Sequence, residues 1–276
     1  MIGAIIGDIV GSRFQFQDFK SKQFEFFADG CCPTDDTFMT LAIGKALTVC
    51  KDRTDEESLR RAAARIMREI AAKHRDETGW GLNFYKWLFE GNPNTQSFGN
   101  GAGMRISGVG WVAETEAEVK RLSKAVTEIS HGHAEGIKGA ECVAMAVFLA
   151  RIGKDKAYIK ERLIQDYYPE LAEMTLDKIR PDYGIDDDGN WVTCQGSIPQ
   201  AMTAFFEGED FEDCIRSAIS IGGDADTIAC MTGAVAEAYY GVDRALEEKA
   251  VSYLSPDLQF AYFAFDSVKR KREARK

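Results

Sequence analysis

The sequence predicts an all-α protein, and helical periodicity is the main reason. Apolar residues recur every three or four positions over residues 59–70 and 119–129, and charged residues occupy the opposite face. This spacing indicates amphipathic helices. Each run follows a Thr-x-x-Glu sequence, beginning at Thr54 or Thr115, which is typical of a helix N-terminus. No segment of strand length alternates convincingly between apolar and polar residues, so strands are not expected.

Further helices are expected at residues 157–167, 199–206, 211–221, 226–240 and from about 257 to the C-terminus. Residues 136–152 differ from these because they are apolar on nearly every side and rich in small residues. That composition is typical of a helix packed on several neighbours. It predicts that this helix is the most buried of all.

The chain is expected to form one domain. Its 276 residues, 45% of them hydrophobic, are enough to bury a sizeable core, and no linker or internal repeat divides them. We place the domain at residues 1–268 and interpret residues 269–276 as a basic C-terminal helix end or tail. A formal charge of −10 argues against general nucleic-acid binding, because little would neutralise a run of phosphates.

The cysteines and the apolar segments bear on where the protein works. The seven cysteines include no C-x-x-C pair, so neither a disulfide framework nor a zinc site is indicated. A reducing compartment fits them better, and we expect a cytoplasmic protein. The longest uninterrupted apolar stretch, residues 143–150, is far shorter than the ~20 residues of a membrane span, so no membrane association is expected.

Residues 34–37 read Thr-Asp-Asp-Thr and stand directly before an apolar segment of helical period. Aspartate and threonine are favoured N-caps, and acidic residues in a first turn complement the helix dipole. Taken alone, this cluster is better explained as a helix cap than as a metal site.

A second cluster, at residues 224–227, reads Asp-Ala-Asp-Thr and also precedes a predicted helix. One cap needs one acceptor, whereas this segment offers two carboxylates and a hydroxyl after two glycines. Considered together, the clusters favour a cation site, and their hard oxygen donors select magnesium, manganese or calcium. The candidate ligands are Thr34, Asp35, Asp36, Asp224, Asp226 and Thr227.

A glycine-rich segment at residues 97–105 could bring backbone N–H groups close to an anion such as a diphosphate. An ordinary tight turn explains it better when it is taken alone. Its Arg105 is expected to pair with a phosphate or with a structural carboxylate. His131 and His133 lie near a predicted helix end, where we expect substrate contact or a structural hydrogen bond rather than metal ligation.

Five segments, in order along the chain, resemble the motifs of the ADP-ribosylglycohydrolase family, which includes the dinitrogenase reductase-activating glycohydrolase. They are residues 3–12, 34–37, 99–105, 130–139 and 222–229. The resemblance extends over about residues 1–245. The ordered set is highly specific, whereas no single motif would be.

The resemblance implies a compact orthogonal helical bundle of the ADP-ribosylglycohydrolase type, with two Mg²⁺ or Mn²⁺ ions on the ligands named above. It implies hydrolysis of the glycosidic bond between ADP-ribose and a modified side chain, arginine or serine, or a small leaving group. ADP-ribose or an ADP-ribosylated protein is then the expected partner. Asp35 and Asp36 are candidates to orient or deprotonate the attacking water. The residues expected to contact substrate are Gly99, Asn100, Gly101, Ala102, Gly103, Met104 and His131.

The chain departs from the family pattern at a candidate catalytic position, Gln15. Members typically read Gly-Ser-x-x-Glu-Phe where residues 11–16 read Gly-Ser-Arg-Phe-Gln-Phe. A glutamine keeps the shape and a carbonyl oxygen, but it carries no charge and cannot transfer a proton. If the glutamate is the acid–base group, its loss costs on the order of a hundredfold or more in rate. The alternative function is therefore a catalytically impaired ADP-ribose-binding protein.

Overall fold

The computed structural model describes residues 1–77, 79–93, 96–185 and 188–273, and it confirms the all-α fold class. The α-helices are α1 (Ile2–Gly11), α2 (Asp35–Val49), α3 (Glu56–Lys73), α4 (Leu82–Phe89), α5 (Gly101–Met104), α6 (Ser107–Val112), α7 (Glu116–Thr127), α8 (Ala134–Arg151), α9 (Lys156–Asp166), α10 (Leu176–Ile179), α11 (Cys194–Glu207), α12 (Phe211–Ile219), α13 (Ala225–Tyr240), α14 (Arg244–Val251) and α15 (Pro256–Glu273). Short 3-10 helices lie at Ser12–Phe14, Pro169–Ala172 and Asn190–Val192. Over these ranges, extended segments pair only as isolated bridges.

Side-chain caps set the starts of the amphipathic helices. The Thr115 hydroxyl accepts a hydrogen bond from the backbone N–H of Glu118 at 3.1 Å, as predicted for α7. For α3 the predicted cap at Thr54 is wrong, because the carboxylate of Asp55 accepts from the N–H of Ser58 instead. Both threonine and aspartate supply the single acceptor that a helix N-terminus needs, so the sequence pattern located each start to within one residue.

Helix α1 lies in the centre of the fold. All of its residues are buried, whereas α8, which covers residues 136–151 of the predicted segment, keeps several partly exposed positions. The prediction that residues 136–152 form the most buried helix is therefore wrong. Because α1 is apolar on every side, it has no amphipathic period by which the sequence could predict it.

Glycines allow α1 and α13 to cross in close contact. A Cβ atom added at Gly7 would lie 2.1 Å from the carbonyl oxygen of Ala229, and one at Gly11 would lie 2.5 Å from Cα of Asp226. Any larger residue at these positions would force the helices apart. The crossing places Asp8 of α1 beside Asp226 at the start of α13.

The basic run at the C-terminus continues α15 as far as Glu273, and residues 274–276 of the predicted tail lie outside the described residues. The Nζ atom of Lys269 lies 2.6 Å from Oε1 of Glu237, and the Lys269 side chain is only 16% exposed. Arg272 pairs with Glu114 at 2.8 Å. These basic side chains therefore contact the acidic body of the protein. Among the described helices, none combines the length and the apolar character that a membrane span requires.

Candidate functional site

Asp8 fixes the start of α2 from inside the core. Its carboxylate accepts hydrogen bonds from the backbone N–H of Thr34 at 2.9 Å, from the Thr34 hydroxyl at 2.7 Å and from the N–H of Thr37 at 3.0 Å. Burial outweighs these donors and raises the pKa of Asp8 to about 6. The helix cap predicted at residues 34–37 is present, since the Thr34 hydroxyl accepts from the N–H of Asp36 at 3.3 Å.

The second cluster begins on two glycines in the left-handed region, Gly222 at φ 81° and Gly223 at φ 68°, which side chains rarely adopt. Asp224 follows at the N-cap position of α13 but makes no capping hydrogen bond. Its Oδ2 atom instead accepts from Nδ2 of Asn100 at 2.7 Å. The sequence argument that this segment offers more acceptors than a cap needs agrees with that geometry.

The two acidic clusters meet, although 191 positions separate them at their point of contact. The hydroxyl of Thr227 donates to Oδ2 of Asp36 at 3.1 Å. One carboxylate oxygen each from Asp8, Asp36 and Asp226 lies within 4.8 Å of the others, and all three residues are buried. Burial, followed by the charges of neighbouring carboxylates, raises the pKa values of Asp36 and Asp226 well above the ordinary range.

Two carboxylate oxygens in this group are buried without a donor. Among the described residues, neither Oδ1 of Asp36 nor Oδ2 of Asp226 has a hydrogen-bond partner. A buried carboxylate oxygen ordinarily accepts hydrogen bonds or coordinates a metal. The residues present therefore fit a divalent cation, because three carboxylates converge there and their charges would otherwise repel. Asp35 is partly exposed and borders the adjoining cleft.

A cleft of about 290 Å³ opens directly over the carboxylates. Its acidic floor is formed by Asp35, Asp36 and Asp224 together with Thr227. The rest of its lining consists of Gln15, Phe16, Gly79, Gly81, Leu82, Asn83, Phe84, Ser97, Gly99, Asn100, Gly101, Met104, His131 and Val192. One cleft therefore presents charged oxygens at its floor and apolar or aromatic walls above them, an arrangement suited to a small polar ligand.

The glycine-rich segment forms one wall of this cleft. Gly99, Asn100, Gly101 and Met104 line it, whereas Ala102 and Gly103 are buried behind them. The backbone N–H of Asn100 donates to the carbonyl of Val192 at 2.9 Å, and those of Ala102, Gly103 and Met104 donate within the turn. These N–H groups are thus already engaged, so side chains supply much of the donor capacity of this wall.

His131 lies behind the glycine-rich wall and is 4% exposed. Its Nδ1 atom lies 3.1 Å from Nη2 of Arg105 and 2.9 Å from Oγ of Ser130. Its ring centroid lies 5.7 Å from that of Phe84. Burial, together with the charge of Arg105, lowers the pKa of His131 well below its ordinary value. His131 is therefore a neutral imidazole near pH 7.

Arg105 is fully buried. The sequence predicts a phosphate or a carboxylate as its partner, yet its Nη2 atom donates to Ser130 at 2.7 Å and to His131. Burial lowers the pKa of Arg105 to about 9, so the guanidinium stays charged near neutral pH. The prediction of a carboxylate partner is wrong, and the side chain lies behind the cleft wall rather than in the lining.

Gln15 follows the 3-10 helix that continues α1 and borders the cleft. Its side-chain amide lies beside Asp224 and favours the ionised form of that carboxyl, whose pKa burial otherwise raises. Phe16 has a left-handed backbone at φ 60°, and its N–H donates to the carbonyl of Gly223 at 3.1 Å. The Phe16 ring packs edge-on against Trp191, with the centroids 5.6 Å apart. Gln15 is thus held beside the second acidic cluster.

The sequence motifs did not predict Asp8 as part of the carboxylate group, although the motif at residues 3–12 contains it. The available signal was that Asp8 is the only charged residue of the apolar run at residues 2–11. A lone carboxylate in a buried apolar helix needs a partner. Sequence analysis also missed the walls formed by Phe16, Leu82 and Phe84, for which no local pattern exists.

The fold and the site together define a helical protein whose carboxylate-floored cleft suits a cation and a small polar ligand. A family model described as ADP-ribosylglycohydrolase matches residues 1–268. The chain therefore belongs to the ADP-ribosylglycohydrolase family, as its motifs predict. The predicted enzyme class, a glycohydrolase, agrees with this membership.

Curated relatives are similar over most of the chain, and a solved structure shares its fold. The chain is 26% identical to ADP-ribosylhydrolase ARH3 of Homo sapiens, over 90% of this chain and 86% of that protein. It is 23% identical to ADP-ribosylarginine hydrolase Tri1 of Pseudomonas putida (strain GB-1), over 88% of this chain and 70% of that protein. A solved structure titled "ADP-ribosylglycohydrolase-related protein complex" shares the fold, with a TM-score of 0.63, 22% identity and coverage of 96% and 95% of the two chains.

Proposed function

We propose that this protein is a metal-dependent ADP-ribosyl hydrolase. It cleaves the glycosidic bond between ADP-ribose and a modified side chain, arginine or serine, or a small leaving group. The observation that carries the proposal is the pair of donorless buried oxygens on Asp36, which lines the cleft, and on Asp226 close to it. The names of the relatives, ADP-ribosylhydrolase ARH3 and ADP-ribosylarginine hydrolase Tri1, support the substrate class.

The donor set supports two Mg²⁺ or Mn²⁺ ions as cofactors. The proposed ligands are Thr34, Asp35, Asp36, Asp224, Asp226 and Thr227. Mg²⁺ and Mn²⁺ prefer carboxylate and hydroxyl oxygens. Cations bound there would offset the mutual repulsion of the carboxylates, polarise sugar hydroxyls and lower the pKa of a water molecule.

The residues of the chain have separate tasks in this proposal. Asp8 holds Thr34 through two hydrogen bonds and thereby orients the first cluster. Asn100 holds Asp224 of the second cluster through one hydrogen bond. Asp35, the partly exposed carboxylate at the floor, is the best-placed group to accept the proton of an attacking water. Gln15 cannot take that task, since a side-chain amide is not basic enough to accept a proton near neutral pH.

Hydrolysis assays test the proposal. Peptides carrying ADP-ribosylated arginine or ADP-ribosylated serine are incubated with the protein and Mg²⁺ or Mn²⁺, and release of ADP-ribose is followed by chromatography. We expect release that needs the metal and is lost in Asp36→Asn. No release of ADP-ribose from either peptide or from ADP-ribose linked to a small leaving group, with the wild-type protein and with Gln15→Glu, would rule the enzyme out.

A second candidate function, ADP-ribose binding with impaired turnover, is favoured by one contact. The Gln15 amide lies beside Asp224 and favours its ionised form, but an amide supplies no acid at this position. Titration calorimetry with ADP-ribose and Mg²⁺ would then show binding while wild-type hydrolysis is absent, and Gln15→Glu would restore hydrolysis. Rapid hydrolysis by the wild-type protein would exclude this second function.

A further inference from the structure

We propose that Arg105 is a positioning residue that fixes His131 as a neutral imidazole whose Nε2–H points towards the glycine-rich wall of the cleft. His131 then acts as a hydrogen-bond donor to an anionic ligand bound there. This inference rests on the proposed ADP-ribose site, because it assigns how one wall of that site recognises its ligand.

The first observation is the unusual situation of Arg105. It is 0% exposed, and within the described residues its Nε and Nη1 atoms have no hydrogen-bond partner. Only Nη2 donates, to Ser130 and to His131. A buried guanidinium without a carboxylate is costly, and an apolar residue of similar volume would cost less. The guanidinium at this position therefore serves as a hydrogen-bond donor to Ser130 and His131.

The tautomer of His131 follows from the chemistry of arginine. A guanidinium carries only donors and stays protonated. Its Nη2 lies 3.1 Å from Nδ1 of His131, so Nδ1 must be the acceptor. The neutral ring has one proton, which must then reside on Nε2. Ser130 fits this arrangement, because its hydroxyl accepts from Arg105 at 2.7 Å and can donate to Nδ1 at 2.9 Å.

The free edge of the ring faces the glycine-rich wall. A Cβ atom added at Gly101 would lie 3.3 Å from Nε2 of His131, and one added at Gly99 would lie 3.7 Å from it. The absence of side chains at these two positions leaves Nε2–H close to the space that Gly99, Gly101 and His131 all line. Most other N–H groups of this wall donate within the protein, whereas this donor remains available to a ligand.

Phe84 holds the pair in place from the other side. Its ring centroid lies 5.7 Å from that of His131, and the guanidinium carbon of Arg105 lies 5.3 Å from the same ring. Tilted ring packing together with a cation–π contact restricts both side chains to one geometry. The imidazole can therefore neither flip nor change its tautomer while Arg105 is present.

The test combines a spectroscopic readout with a binding readout. Arg105→Met keeps the volume and removes the donor, and Arg151→Met is the matched control, since Arg151 donates to the carbonyls of Gly110 and Ala113 outside the cleft lining. Long-range ¹H–¹⁵N spectra of the three histidines report the tautomer of His131. Calorimetry with ADP-ribose and Mg²⁺ reports the affinity.

We expect the wild-type His131 ring to carry its proton on Nε2. Arg105→Met should shift this signal and raise the Kd for ADP-ribose at least about tenfold, as for loss of one oriented hydrogen bond to a charged ligand. The control should change neither. In a His131→Gln background, where an amide presents an N–H without any tautomer, the effect of Arg105→Met on Kd should shrink markedly.

Each failure has its own meaning. A wild-type ring protonated on Nδ1, or an Arg105→Met variant with unchanged imidazole signals and unchanged Kd, would overturn the inference. If the folded wild-type protein does not bind ADP-ribose at all, the proposed function fails, and the spectra still decide the tautomer.

Discussion

The hydroxyl of Thr227 donates to Oδ2 of Asp36 at 3.1 Å and joins two helix N-termini that lie 191 positions apart in the chain. Each of these N-termini taken alone is explained by helix capping. Their contact, with Asp8 and Asp226 alongside, concentrates carboxylates that would repel one another in the absence of a cation. The predictions below follow from this arrangement and from the packing that maintains it.

Asp226→Asn should distinguish two effects of the Asp226 carboxylate: its destabilisation of the metal-free fold and its contribution to cation binding. Burial and the charges of Asp224 and Asp36 oppose ionisation of Asp226, so a neutral amide should raise the melting temperature of the metal-free protein by about 2 °C or more. The same change should abolish the upward shift that millimolar Mg²⁺ gives the wild-type protein. Calorimetric melting with and without Mg²⁺ measures both effects.

The control for Asp226→Asn is Asp177→Asn. The Asp177 side chain is 99% exposed and lies 3.6 Å from Arg180. Its neutralisation should change neither the melting temperature of the metal-free protein nor the shift caused by Mg²⁺. A Mg²⁺-induced shift that survives in Asp226→Asn would show that this residue does not contribute to the cation site.

Gln15→Glu should change stability and activity in opposite directions. In the metal-free protein the new carboxylate replaces an amide that favours the ionised form of Asp224 and adds charge beside it, so the melting temperature should fall. With Mg²⁺ or Mn²⁺ bound, the carboxylate supplies a proton-transfer group, and hydrolysis should accelerate on the order of a hundredfold. Melting curves check the predicted loss of stability, and initial rates of ADP-ribose release check the predicted gain in activity.

Gln17→Glu is the matched control, because Gln17 is exposed and its amide donates to the carbonyl of Arg13. It should leave the rate unchanged. Equal rates for Gln15→Glu and the wild-type protein would show that Gln15 does not limit turnover.

Gly7→Ala should destabilise the protein through helix packing. The added Cβ would lie 2.1 Å from the carbonyl oxygen of Ala229, so α1 and α13 must separate at a cost of about 1–3 kcal/mol. Urea unfolding gives the free energy. Gly184→Ala, where the nearest atom would be 3.6 Å from the new Cβ, should stay near the wild-type value, and an equal loss in both variants would contradict the packing argument.

Glu237 should make the free energy of unfolding depend on pH in the acidic range. Burial opposes its ionisation, but the charges of Lys269 and the Met1 amine prevail and lower the pKa of Glu237 from 4.5 to about 2. The folded state thus binds this proton less readily than the unfolded state. Its contribution is complete above the unfolded pKa and is lost as the pH falls through the folded pKa.

Urea midpoints of the wild-type protein and of Glu237→Gln check this contribution. The difference between them should be largest near neutral pH and should narrow as the pH falls from about 5 towards about 2. Glu248→Gln, with a side chain 64% exposed beside Arg244, should match the wild-type protein throughout. A constant difference for Glu237→Gln would mean that its charge is not what stabilises the fold.

Much of the fold could be predicted because amphipathic helices carry their own signal. The period of α3 and α7 gave their positions, and Thr115 marked the start of α7. α1 gave no such signal, because every one of its faces is buried. The same burial concealed Asp8, whose importance depends on Thr34 and Asp226 lying next to it.

The sequence by itself determined the fold class, the family motifs and the residue types that can hold a hard cation. Those properties are local, since periodicity, capping and donor chemistry reside in short segments. Only the tertiary structure decided that the two acidic clusters meet, that Gln15 lies beside Asp224 and that Arg105 donates to His131. These contacts join segments distant along the chain, and they arise because the close crossing of α1 and α13 and the packing around it bring buried polar groups within hydrogen-bond distance.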